Sequence, residues 1–188
     1  MPISVYTRIY SAEEKGFVSE DAEVLNALDF LSKHFKKSNI RALDRGYDAN
    51  IYYERLIDKK EAFIIRSKKN RNVDYKGKRL NIYELAKRFK GKYCLKIKKK
   101  NGVMTDCKIS IVPIKLPCRP KVDLNLIICN GLGMEPLMLI TNLRSDDDRL
   151  AVTITKAYLL IPTCNQCSSN YFHPDSRAAM IDGTPSRK

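Results

Sequence analysis

A carboxylate, a crowd of cations and a pair of thiols are the groups whose placement in this sequence could do chemistry. Asp44 closes the short apolar run Ile40-Arg41-Ala42-Leu43 and opens Asp44-Arg45-Gly46-Tyr47-Asp48, where Gly46 allows a sharp exit from a strand. A carboxylate at the carboxyl end of a buried strand, at the mouth of an α/β sheet, is where such folds place reactive groups. Asp before Gly is also ordinary turn chemistry, so spacing alone leaves catalysis and a simple turn both open. Cys164 and Cys167 have the spacing of half a zinc site. Tetrahedral zinc needs four ligands and only His173 stands near in sequence, so zinc is not expected. Cys94, Cys107, Cys118 and Cys129 lie among Leu, Ile and Val and read as small apolar fillers.

The net charge is +14, and its location matters more than its size. Residues 59–100 hold 17 Lys and Arg against 3 acids, so the remainder of the chain is neutral. A concentrated positive field attracts polyanions and releases their counterions, which makes nucleic acid the natural partner. Lys68, Lys69, Arg71, Lys96, Lys98 and Lys99 are the candidates for contacts to a DNA backbone. The plainer reading is a solvated basic face. Apolar runs are too short to span a bilayer and the first residues have no secretory pattern, so a cytoplasmic chain with no membrane partner and reduced thiols is expected.

The elements that must hold these groups follow from the apolar pattern. Residues 1–18 read as extended, and Ser19 as the N-cap of a helix whose Val24, Leu25, Leu28, Leu31 and Phe35 form one buried stripe. A strand at 40–43, a helix that Asp48 would cap, and a strand at Ala62-Phe63-Ile64-Ile65-Arg66 follow. Helix, strand, helix, strand predicts an α/β arrangement with adjacent parallel strands. From residue 67 the texture becomes basic and β-rich: a hairpin around Lys76-Gly77-Lys78, a short helix at 83–89, a strand at 92–98, an Asn101-Gly102 turn, and strands at 103–116, 124–129 and 137–141. Residues 146–160 read as a helix ended by Pro162, and 175–188 as a disordered polar tail.

Four segments, in order, resemble the DDE transposases of bacterial insertion sequences, specifically the insertion-sequence type-four group. They are the Ser11 to Ser19-Glu20-Asp21 region, Ala42-Leu43-Asp44-Arg45-Gly46-Tyr47-Asp48, Ala62-Phe63-Ile64-Ile65-Arg66-Ser67-Lys68 and Leu139-Ile140-Thr141-Asn142-Leu143. The resemblance covers about residues 2–158. It implies an RNase H-like α/β core with an inserted basic β-rich domain, hence a partial core at 1–66, the insertion at 67–145, the start of the final core helix at 146–160 and a divergent tail at 161–188. It implies DNA cutting and joining with Mg²⁺ held between three carboxylates, as two-metal sites do. Asp44 then matches the second carboxylate, both catalytic and metal-ligating, and Arg45 positions the strand end or a phosphate.

The chain departs from that family at both ends. No counterpart of the first aspartate is found. Tyr158 opens the family's Tyr-x-x-Arg-x-x-x-Glu-x-x-x-x-x-x-Lys helix, but Ile161, Asn165 and Phe172 stand at the Arg, Glu and Lys positions. A frame shift or truncation of the coding element explains this simply. A lone Asp44 does not hold catalytic Mg²⁺ well. The expectation is a transposase fragment inactive alone, with DNA as partner and a homo-oligomer or a complementing transposase chain as further partners. The alternative is a small basic nucleic-acid-binding protein without catalysis.

Overall fold

Ser19 does cap the first helix, α1 (Glu20–His34): its Oγ accepts from the Ala22 amide at 3.1 Å. Glu20, Asp21 and Glu23 then complement the positive end of the helix dipole. The computed structural model of the chain describes residue 13 and residues 15–36, 39–98, 104–143, 148–160 and 179–181. After α1 come β1 (Ile40–Leu43), a 3₁₀ turn (Arg45–Tyr47), α2 (Asn50–Asp58) and β2 (Phe63–Arg66). β1 and β2 pair in parallel, with Arg41 opposite Phe63 and Leu43 opposite Ile65. Contrary to the expectation from sequence, Asp48 does not cap α2. Ala49 holds the N-cap position, and the Asp48 carboxylate is turned into the protein instead.

The basic half follows as β3 (Asn72–Tyr75), β4 (Lys78–Asn81), α3 (Ile82–Lys87), β5 (Tyr93–Lys98), β6 (Met104–Leu116), β7 (Arg119–Asn130) and β8 (Leu137–Thr141). Lys76 and Gly77 turn the β3–β4 hairpin with φ of 49° and 77°, the left-handed pair that a two-residue turn requires. β7 starts at Arg119, well before the expected Leu124, because a two-residue turn follows β6 directly. The expected 101–102 turn lies outside the described residues. α4 (Asp148–Leu160) and β9 (Ala179–Ile181) complete the described chain.

Among the described residues, these strands form one mixed sheet in the order β4-β3-β6-β7-β8-β2-β1-β9, with β5 also on β6. β8 lies antiparallel to β2, so the sheet runs on without interruption across residue 67. β9 lies antiparallel to β1 at Ile40–Ala42. Alternation assigns each strand's residues to two cores. Leu43, Phe63, Ile65, Val112, Leu126, Met138 and Ile140 face α1, α2 and α3. Ile64, Cys107, Ile109, Ile127, Cys129, Leu137 and Leu139 face α4 through Ala151, Ile154 and Tyr158. Covered on both faces, β2 and β8 are buried at nearly every position, which is why they read as unbroken apolar runs.

Polar staples fix the two parallel strands. Glu61 is fully buried just ahead of β2 and accepts from Arg41 Nε of β1 at 3.2 Å and Arg55 Nη1 of α2 at 3.0 Å. Ser32 of α1 also donates from Oγ to Glu61 at 2.5 Å, so one carboxylate ties two helices to the start of two strands. Asn142, in the Leu-Ile-Thr-Asn-Leu segment, bridges the same place: its Oδ1 accepts from the Phe63 amide at 3.0 Å and its Nδ2 donates to the Glu61 carbonyl at 2.7 Å.

Candidate functional site

β1 ends at Leu43 opposite Ile65, so the next residues, Asp44 and Arg66, stand side by side at the carboxyl ends of two parallel strands. Arg66 Nη1 lies 3.6 Å from Asp44 Oδ1, with the two side chains 38% and 32% exposed. Asp44 precedes the 3₁₀ turn without capping it by its side chain; only its carbonyl serves the turn, accepting from the Tyr47 amide at 3.0 Å. α4 closes the mouth from the other face of the sheet. Its Tyr158 donates from Oη to Asp44 Oδ1 at 3.3 Å, across 114 positions of sequence. Burial, then the Asp44 charge, pushes the Tyr158 hydroxyl well above the usual tyrosine range, with Arg66 pulling the other way. The phenol is therefore a standing hydrogen-bond donor at neutral pH.

Arg45 is exposed on the 3₁₀ turn beside Asp44, and Lys68 is exposed two residues beyond Arg66. The loop that carries Lys68 is held by Asp48. Its Oδ2 accepts from the Lys68 amide at 2.6 Å and from Ser67 Oγ at 3.1 Å, and its Oδ1 from Tyr53 Oη at 2.8 Å. Arg71, expected among the DNA contacts, is turned inward: Nε donates to Asp48 Oδ1, Nη1 to Asn50 Oδ1 at 2.9 Å, and the side chain is only 11% exposed. Its fork is occupied by protein acceptors and stacks 4.9 Å from the Tyr53 ring centre.

Lys69 is half-exposed and paired with Glu135. Lys96 is exposed on β5 opposite Asp106, across the sheet from the mouth, with β6, β7 and β8 between β5 and β2. Lys98 ends β5, and Lys99, Cys164, Cys167 and His173 lie outside the described residues. The structure thus puts Asp44 and Arg45 just past β1 and Lys68 just past the neighbouring β2, and leaves the β5 lysines on a strand apart. In the sequence, Arg66 and Tyr158 stand out only as motif residues. Register alone would have found Arg66, since Leu43 opposite Ile65 puts the next pair, Asp44 and Arg66, side by side.

The donor set does not fit Mg²⁺. Hard divalent cations take several oxygen ligands, usually two or more carboxylates. Here one carboxylate is flanked by a guanidinium and a phenol, and no group of three or more metal-ligating side chains occurs among the described residues. What the arrangement can do is hold an anion against Arg66, Arg45 and Lys68. No helix among the described residues is long and apolar enough to cross a membrane. No protein-family model matches the chain, and no curated protein matches it.

Proposed function

We propose that the chain is a fragment of a DDE-type DNA transposase, a partial RNase H-like core with an inserted basic β-rich domain, that binds DNA and does not cut it alone. The observation that carries this reading is the meeting of Asp44 with Tyr158 at the carboxyl ends of β1 and β2. These are the two residues the resemblance picks out as the second carboxylate and the opening of the last motif. Distant segments that share a family pattern and converge at a strand-end mouth support a common site. In the intact family Mg²⁺ supplies activation of water or a 3′-hydroxyl. In this chain Asp44 belongs to no group of three or more metal-ligating side chains among the described residues, and a complementing chain would bring the other carboxylates. The working compartment is the cytoplasm, with DNA as partner.

The test is incubation of the full chain with supercoiled plasmid and Mg²⁺ or Mn²⁺. The expected result is binding without nicking. Metal-dependent cutting that disappears in Asp44→Ala would overturn the claim of inactivity and establish a working nuclease. A second reading, a basic nucleic-acid-binding protein unrelated to transposition, is favoured by the confinement of the excess charge to residues 59–100. It predicts steeply salt-dependent binding to which the Asp44 mouth contributes nothing.

A further inference from the structure

The mismatch between the mouth and a divalent cation has a positive side. A carboxylate and a phosphodiester present similar pairs of oxygens to a guanidinium, so both compete for the same fork. Arg66 has five N–H donors, and its contact to Asp44 is a loose one at 3.6 Å on a side chain 38% exposed. That separation is beyond a good hydrogen bond, and partial exposure screens the pair. Tyr158 gives Asp44 a second partner at 3.3 Å, so the carboxylate keeps a donor when Arg66 leaves it. Arg45 and Lys68, both exposed, flank the pair on the two strand ends. The mouth therefore offers a phosphate a half-exposed cation whose contacts are the loose one to Asp44 and a hydrogen bond with the Tyr158 hydroxyl, with Arg45 and Lys68 exposed on the same strand ends.

We infer that Arg66 is the phosphate-binding group of this mouth, that Asp44 competes with the DNA phosphate for it, and that divalent cations take no part. Asp44 then restrains DNA binding where an intact metal site would make it promote binding. The inference rests on the DNA-binding reading above and deepens it. It fixes the sign of a substitution. With a metal between carboxylate and phosphate, removing the Asp44 charge weakens binding in Mg²⁺. With direct competition, removing it strengthens binding whether or not Mg²⁺ is present.

The experiment is a fluorescence-anisotropy titration of a labelled single-stranded oligonucleotide with the full chain, in EDTA and in Mg²⁺. Asp44→Asn is expected to tighten binding roughly twofold to fivefold in both buffers, the strength of the one partly exposed ion pair that no longer competes for Arg66. Arg66→Gln is expected to weaken binding by a similar factor, to make Asp44→Asn silent in the double variant, and to be partly rescued by Arg66→Lys. Asp44→Ser serves in place of Asp44→Asn if the amide disturbs folding. Tighter binding of the unaltered chain in Mg²⁺, lost in Asp44→Asn, would overturn the inference and leave the DNA reading standing. So would an Asp44→Asn variant of unchanged affinity. Failure of every variant to bind the oligonucleotide removes both.

Discussion

Asp44 and Asp48 stand four residues apart in one motif, and their surroundings assign them opposite work. Asp48 is almost fully buried and serves Tyr53, Ser67, the Lys68 amide and Arg71. Replacing it by alanine leaves the largely buried Arg71 cation without its carboxylate, so Asp48→Ala is expected to cost about 3–5 kcal/mol. Urea unfolding of the two proteins measures this, and a loss below about 1 kcal/mol would show that Asp48 is not the anchor of the loop. A second prediction concerns the hydroxyls of Tyr52, Tyr53 and Tyr158. Burial raises each above the usual tyrosine value, helped by Asp21, Asp48 and Asp44 respectively. The folded state keeps these protons above about pH 10 while the unfolded chain releases them, so stability is intact below that pH and falls above it. Each hydroxyl contributes a loss of about 1.4 kcal/mol per pH unit in that window. Urea midpoints between about pH 9 and about pH 11 follow the loss, and a flat profile would mean that the three rings are not held as described. Asp44 was legible because it ends an apolar run. The inward turn of Asp48 and Arg71 was not, because a polar residue before a helix looks the same whether it caps the helix or reaches a loop some 20 positions on.

Turn chemistry is local, so the β3–β4 hairpin could be read from Lys76-Gly77, and α1 from its Ser19 cap. The exit from β7 is different. Gly131 has φ of +102°, and a Cβ there would sit 2.5 Å from the Asp106 carbonyl oxygen of β6. Gly131→Ala is thus expected to cost about 1–3 kcal/mol by strain and contact together. Gly133, in the same connection with open space around its Cβ position, is the control: Gly133→Ala should stay within about 0.5 kcal/mol of the unaltered chain. Equal effects at the two positions, measured by urea or thermal unfolding, would mean that β7 does not leave across β6 in this way. Sequence did not show where β7 begins, because Pro120, Lys121 and Asp123 interrupt the apolar run. Across the hairpin Lys115 and Asp123 pair at 3.4 Å, an exposed ion pair on the outer face of a stretch whose other face buries Ile114, Leu116 and Leu124. Apolar patterning sees the buried length of a strand, and the hydrogen-bonded length is longer.

The basic stretch that is one feature in sequence becomes several places in the fold. Lys59 and Lys60 end α2 ahead of β2, whereas Lys68 lies beyond its far end, beside Arg66 and the Asp44 mouth. A four-residue strand separates them by about 13 Å or more, beyond a Debye length in ordinary buffer. Even Arg71, part of the same run, faces inward. Net charge alone therefore could not say where a polyanion sits, although it could say that one is attracted. Arg45→Glu with Lys68→Glu, and Lys59→Glu with Lys60→Glu, change the net charge equally at opposite ends of β2. If the strand-end mouth engages DNA, the first pair is expected to weaken oligonucleotide binding about tenfold or more and to flatten the salt dependence by about 1.4 in slope, two phosphate contacts of a single strand. The second pair should weaken it less than about threefold, since it acts only through the general field. Equal losses from both pairs in a salt-series titration would mean that DNA follows the basic surface at large. The transposase reading would then lose the site that joins Asp44 to binding, and the non-catalytic nucleic-acid-binding reading would be the better account.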